Sequence, residues 1–204
     1  KEIENIIPKK FKDFNILNIK SEASTRKYYR LVKDKQKAIL MDSSNEPEQF
    51  ENFIKVHKII SNTKISIPKI YEIDRNKKSI ILEDFGNFRF DKILNKFELK
   101  HLLSIAVESL IEIKKELRFN YEYKLPIYNY NVFKSELSEF VDFFYPYFQK
   151  KSMNTELKEE FYNTWKTYFE SLDLSFTSFI HKDYNINNLI YLPNRKKHYK
   201  CGII

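Results

Sequence analysis

Ile3, Ile6, Ile7, Phe11 and Phe14 recur at roughly helical spacing, interrupted by Pro8, and predict a modest helix within residues 2–14. The pattern then alternates. Strands are expected at Ile16–Ile19, Tyr28–Val32 and Ala38–Asp42, separated by the polar stretch Ser21–Arg26 and the turn Asp34-Lys35. Three strands joined by such connections make an antiparallel meander. Ser43-Ser44-Asn45-Glu46-Pro47 reads as a helix start, with a capping residue and a proline in the first turn. Phe50, Phe53, Ile54, His57 and Ile60 trace one face of that helix, which should end near Ser61-Asn62. His57, on the apolar face, reads as a packed histidine. Ile67 to Ile73 and Ser79 to Glu83 are two further extended segments around a polar turn at Asp74–Lys78.

Asp84-Phe85-Gly86-Asn87 breaks this rhythm, and a lobe boundary is expected there: residues 1–86 before it, residues 87–204 after it. Beyond it the period is mostly helical. Leu99, Leu102, Leu103, Ala106, Leu110, Ile113 and Leu117 predict a buried helix within Phe97–Leu117. Phe133–Phe148 and Leu157–Leu172 predict two more, whose aromatic stripes are expected to be core. Short strands are expected at Leu189–Leu192 and Tyr199–Ile204. The class is α+β: a small sheet with one helix, a single connection, then a helical lobe.

Composition narrows the functions open to such a chain. Its 204 residues allow one large domain or two small lobes, and 42% hydrophobic with 16% aromatic residues exclude disorder as the main description. Gly86 and Gly202 are the two glycines, so a phosphate-cradling loop here cannot be glycine-rich. The formal charge of +8 comes from lysines spread along the chain, whereas a nucleic-acid surface needs a stripe or patch. The single Cys201 excludes an internal disulfide framework and suits a reducing compartment. No apolar run is long enough to span a bilayer, and Lys1-Glu2-Ile3-Glu4 carries no signal-peptide pattern. A cytoplasmic location is therefore expected, with neither a nucleic-acid nor a membrane partner. The absent initiator Met suggests a trimmed or partial chain.

The chemistry concentrates in Ile180–Pro193. An apolar entry leads into His181-Lys182-Asp183, then Asn188 five residues after the aspartate, then an apolar exit. This is the spacing of the catalytic loop in kinases, where a carboxylate accepts a proton from the acceptor hydroxyl and an amide oxygen faces a magnesium ion on the nucleotide phosphates. By itself the stretch reads equally well as a polar turn, since Asn and Asp favour turns.

Four stretches in order carry a resemblance: Glu22-Ala23-Ser24-Thr25-Arg26-Lys27-Tyr28-Tyr29-Arg30, Ile39-Leu40-Met41-Asp42, Ile81-Leu82-Glu83-Asp84-Phe85-Gly86, and His181-Lys182-Asp183-Tyr184 through Asn188-Leu189. Together they resemble the aminoglycoside phosphotransferase and choline kinase superfamily, and within it the bacterial anomeric kinases of N-acetylmuramate and N-acetylglucosamine. The resemblance implies a protein-kinase-like, two-lobed fold and transfer of the ATP γ-phosphate to a small-molecule acceptor, an amino sugar in cell-wall recycling. It implies Asp183 as catalytic base, or as the group orienting the acceptor hydroxyl, and Asn188 as a ligand of Mg2+. It implies backbone groups of Glu83, Asp84 and Phe85 at the adenine edge, Leu82 with neighbouring aliphatics over its face, and the Ser24-Thr25-Arg26 turn above the phosphates. His181 is expected to hold the loop by hydrogen bonding. Arg30 is expected on a solvated strand face.

Two departures stand out. The strand position where kinases place a phosphate-binding lysine is Met41, so Arg26, Lys37 or another cation would substitute, with Glu48 or Glu51 as the helix partner. The chain also stops at Cys201-Gly202-Ile203-Ile204, just where a second, metal-binding Asp is expected, so the C-terminal lobe looks truncated and this fragment inactive. Alternatives are a nucleotide-binding pseudoenzyme, a kinase of choline, homoserine or an aminoglycoside, and a basic nucleic-acid binder. The oligomeric state is left open.

Overall fold

The computed structural model describes residues 2–19, 25–117, 125–173 and 179–204. Packing divides the chain into two compact units, residues 1–120 with 179–204, and residues 121–178.

The first unit opens with α1 (Glu2–Ile6) and a 3-10 turn at Lys9–Phe11, separated by Pro8. Next come β1 (Asn15–Ile19), β2 (Lys27–Lys33) and β3 (Gln36–Asp42), then α2 (Pro47–Ser61), β4 (Ile70–Asp74) and β5 (Ser79–Glu83). The five strands form one antiparallel sheet in the order β1-β2-β3-β5-β4. Leu40 and Met41 are adjacent in β3 and both fully buried, because successive strand residues point to opposite faces and both faces are covered. Tyr29, Leu31, Ala38, Leu40 and Ile81 pack with Ile7 and Phe14, with Ile3, Ile6 and Phe11 of the N-terminal turns against them. Met41, Ile80 and Leu82 pack instead with Phe50 of α2. His57 is packed as expected, its Nε2 2.7 Å from the Pro68 carbonyl. The start of α2 differs from expectation: Pro47 opens the helix, but no side chain caps it.

α3 (Leu99–Glu116) and a second sheet, β6 (Leu189–Tyr191) paired with β7 (Cys201–Ile203), complete this unit. Leu102, Ile105, Ala106 and Ile113 of α3 share a core with Phe90, Ile93, Leu189, Tyr191, Cys201 and Ile203. Only that stripe of the predicted helix is buried. Leu99, Leu103 and Leu110 are exposed, because seven apolar positions cover a wider arc than one contact face can bury.

The second unit holds α4 (Tyr130–Glu139), a π turn at Phe140–Phe144, α5 (Tyr145–Gln149) and α6 (Thr155–Ser171). Phe133 packs on Trp165 and Phe169, and Phe140 stacks on Phe161 at 5.2 Å, so part of the aromatic stripe joins helix to helix. Phe143, Phe144, Tyr147 and Phe148 are exposed, which corrects the reading of the whole stripe as core.

Candidate active site

The loop from His181 to Asn188 is anchored from below and wired to itself above. Lys182 takes a left-handed backbone, φ 69°, which turns Asp183 outward. The Asp183 carboxylate is exposed and held by two amides. Asn188 Nδ2 donates to Asp183 Oδ2 at 2.7 Å and to its carbonyl at 2.9 Å, while Asn185 Nδ2 donates to Oδ1. Asn185 Oδ1 in turn accepts from Asn187 N at 2.9 Å, and Asn188 N donates to the Asn185 carbonyl at 3.0 Å. The chain leaves this turn straight into β6, and Ile204 N returns to the Asn188 carbonyl at 3.0 Å. Asp183 and Asn188 are thus brought together, five residues apart, by the Asx-type bonding that makes these residues common in turns.

Tyr184 roots the loop. Its hydroxyl donates to the Ala106 carbonyl of α3 at 2.8 Å and lies 3.6 Å from Cys201 Sγ. Burial pushes the Tyr184 hydroxyl well above its ordinary range, and desolvation raises the Cys201 thiol to about 11. His181 does not serve as expected. Its Nδ1 is buried without a hydrogen-bond partner, and the ring packs edge-on against Tyr184 at 5.5 Å. Desolvation lowers its pKa against the opposing pull of Asp183. The ring's neighbour is Tyr184, itself packed on the core, and among the described residues no acceptor reaches Nδ1.

At the exit of β5, Leu82 is buried against α2 and presents little surface. Glu83 N is already spent on the Lys69 carbonyl at 2.8 Å, and the Glu83 carboxylate takes Arg195 Nη2 at 3.2 Å. Arg195 also lies over the Phe85 ring, 5.0 Å from its centroid, and that ring abuts Gly202 of β7. The segment Glu83–Phe85 therefore lies against the strand pair that carries the Asp183 loop. Asp84 offers no free carboxylate: Arg30 and Gly86 N hold it. Arg30 is accordingly half-buried and tied to Asp84 instead of lying free on a solvated face. Alternation along β2 puts Arg30 on the face of Tyr28, and the acid two residues before Gly86 was the signal for its partner.

Ser24 lies outside the described residues. Thr25 and Arg26 are turned to the start of α2: Thr25 Oγ1 donates to Glu46, and Arg26 Nε lies 3.8 Å from Glu46 Oε2 with its guanidinium 5.6 Å from the Phe53 ring. Glu46, rather than Glu48 or Glu51, is the acid that meets Arg26, just before β2; Glu51 pairs with Arg75 and Lys78. This also explains the uncapped helix, since the Glu46 side chain is turned to the β2 turn. Met41 is fully buried, so nothing cationic occupies its place in β3.

For Mg2+, Asn188 has a suitable hard donor. Its Nδ2 is committed to Asp183, which leaves Oδ1. Among the described residues no cluster of three or more His, Cys, Asp or Glu is arranged to hold a metal, and no helix is long and apolar enough to cross a membrane.

No family model matches the chain. It is 26% identical over 174 residues to an N-acetylmuramate/N-acetylglucosamine kinase of Pseudomonas aeruginosa and 21% identical to that of Pseudomonas putida, in each case across 83% of this chain and 49% of the relative. The chain thus spans about half the length of these relatives. Among solved structures it is similar to the ADP-bound aminoglycoside phosphotransferase APH(2'')-Ib, with a TM-score of 0.60, 15% identity and coverage of 100% of this chain and 68% of that one. It is also similar to APH(2'')-IIa in its ternary complex with streptomycin and ATP, with a TM-score of 0.59, 15% identity and coverage of 96% and 66%. The chain therefore has the fold of the kinase-like phosphotransferases, with amino-sugar kinases among its sequence relatives and aminoglycoside phosphotransferases among its structural ones.

Proposed function

We propose that the protein containing this chain is an ATP-dependent phosphotransferase acting on a hydroxyl of a small molecule, and that the acceptor is an amino sugar of the N-acetylmuramate or N-acetylglucosamine type. The observation that carries this is the Asp183–Asn188 pair: an exposed carboxylate fixed by amides, with one amide oxygen of the same pair left over for a cation. Sequence similarity to the amino-sugar kinases across most of the chain favours that acceptor class.

In this reading Asp183 accepts the proton of the attacking hydroxyl or aligns it, and its amide partners keep the carboxylate from turning away. A bound Mg2+ would neutralise charge on the transferring phosphoryl group, and Asn188 Oδ1 is the residue atom that would hold it. Peptide groups of Asp84 and Phe85 meet the base, and the turn at Ser24–Arg26 faces the phosphates. The nucleotide lobe ends at Gly86 and the catalytic lobe follows it. Positioning and electrostatics supply most of the acceleration.

The test is ADP release from ATP with Mg2+ and N-acetylmuramate, using the full reading frame. Turnover is expected, reduced about 10²–10⁴-fold in Asp183→Asn. Equal turnover in that variant refutes the assignment. A second reading, a nucleotide-binding pseudoenzyme, is favoured by the buried Met41 and by the engagement of Arg26 with Glu46. ATP binding without turnover on any acceptor would select it.

A further inference from the structure

Tyr28 and Arg30 alternate along β2 and share a face of the sheet, and Arg26 immediately precedes the strand. Tyr28 packs with Met41, Phe50 and Leu82, which puts Arg30 on the α2 side of β2, and the Arg26 guanidinium lies over Phe53 of α2. Arg26 grips the start of α2. Arg30 reaches the other way, to the segment leaving β5. Its Nη2 donates to Asp84 Oδ1 at 2.9 Å and to the Gly86 carbonyl at 3.1 Å, and its Nη1 donates to Asn87 Oδ1. Its Nε meets Asp84 Oδ2 at 2.7 Å, a close charge contact outside hydrogen-bond geometry, since both atoms are buried and unbonded. The Asp84 side chain is 3% exposed and that of Arg30 20% exposed.

Asp84 Oδ1 also accepts from Gly86 N at 2.8 Å, closing a turn that Gly86 completes at φ 86°. A side chain at that φ is strained, which is why glycine stands there. One guanidinium thus holds Asp84, Gly86 and Asn87 at once. A buried ion pair contributes little net stability compared with an apolar pair of the same shape. A planar fork on a carboxylate and a carbonyl does define geometry, because its donors are fixed relative to one another. With Glu83 N taken by Lys69 and Gly86 N by Asp84, the N–H groups of this stretch without a backbone partner among the described residues are those of Asp84 and Phe85, in the segment that Arg30 holds.

We propose that Arg30 is a positioning residue for nucleotide recognition: through Asp84 and Gly86 it presets the backbone after β5 to receive the edge of a purine base. The proposal rests on the ATP-dependent reading above. It concerns the base and not the phosphates, which separates it from a general role in folding.

The test measures Kd for ATP and for inorganic tripolyphosphate with the full-length protein, its Arg30→Met, Arg30→Lys and Asp84→Asn variants, and Lys10→Met as control. The last removes an exposed ion pair to Glu72 elsewhere on the sheet. If loss of the fork leaves the receiving conformation populated about a tenth of the time, Kd for ATP rises about tenfold while that for tripolyphosphate is unchanged. Arg30→Lys falls between, since it keeps the charge without the fork. Asp84→Asn keeps the shape and repeats the pattern should Arg30→Met fail to fold. Equal ATP affinity in folded Arg30→Met overturns the proposal, and so does a parallel loss for both ligands with a lowered Tm. Absence of ATP binding by the unaltered protein overturns the underlying reading and this proposal with it. Unaltered binding that survives all three variants overturns this proposal and leaves that reading standing.

Discussion

Replacing Gly202 by alanine probes how β7 is seated against the exit of β5. Gly202 has an ordinary backbone, so its reason is space: a Cβ there would fall 2.6 Å from Phe85 Cδ2, 2.8 Å from Cε2 and 3.1 Å from Leu192 Cδ1. Carbon contacts settle at about 3.5–4.0 Å, so the Phe85 ring must retreat by about 1 Å. It has little freedom to do so, with the Arg195 guanidinium over its face and Arg195 tied to Glu83. Overpacking of this kind costs about 1–3 kcal/mol. Restricting the unfolded chain returns about 0.4–1 kcal/mol. The net expectation is a destabilisation of about 0.5–2 kcal/mol, or roughly 1–8 °C in Tm for a chain of this size. Urea unfolding of Gly202→Ala, Phe85→Ala and the double variant measures it. In the Phe85→Ala background the added methyl should cost about nothing, giving a coupling of about 0.5–2 kcal/mol. A more stable Gly202→Ala, or an equal cost in both backgrounds, refutes the steric account.

Two further outcomes follow from the root of the Asp183 loop. Tyr184→Phe removes the hydroxyl bonded to the Ala106 carbonyl. It should lower stability by about 0.5–1.5 kcal/mol with an unchanged m-value in urea, and an unchanged midpoint would show that the hydroxyl anchors nothing. Cys201 is fully buried, and its thiol is raised from 9.0 to about 11, so a disulfide reagent at pH 8 should leave the native thiol unmodified and label it on unfolding. Because the native value lies above the unfolded one, its contribution to stability is whole below about pH 9 and is lost as pH rises toward 11. Cys201→Ala should flatten that alkaline slope; an unchanged slope contradicts the assignment.

Much of the architecture was legible because its causes are local. Alternation over β1 to β3, the turn at Asp34-Lys35, and the apolar face from Phe50 to Ile60 are properties of neighbouring residues, and each predicted element stands within a few residues of its place. The Asp183–Asn188 pairing belongs to the same class, since a turn of Asn and Asp wires itself through contacts a few residues long. The aromatic stripe of α4 to α6 failed as a guide to burial, because periodicity reports which face is apolar and says nothing of whether a neighbour arrives to cover it.

What only the tertiary structure decided are the partnerships across long stretches of chain. Arg26 and Arg30 look alike in sequence, yet one turns to Glu46 at the start of α2 and the other to Asp84 after β5. His181 was expected to bond and instead lies edge-on to Tyr184, whose own side chain is packed on the core of α3, β6 and β7. Helix period, strand alternation and turn chemistry act within a few residues and can be read from order. The partner of a charge or a ring depends on which segments fold against it, and that is set by the packing of the whole unit.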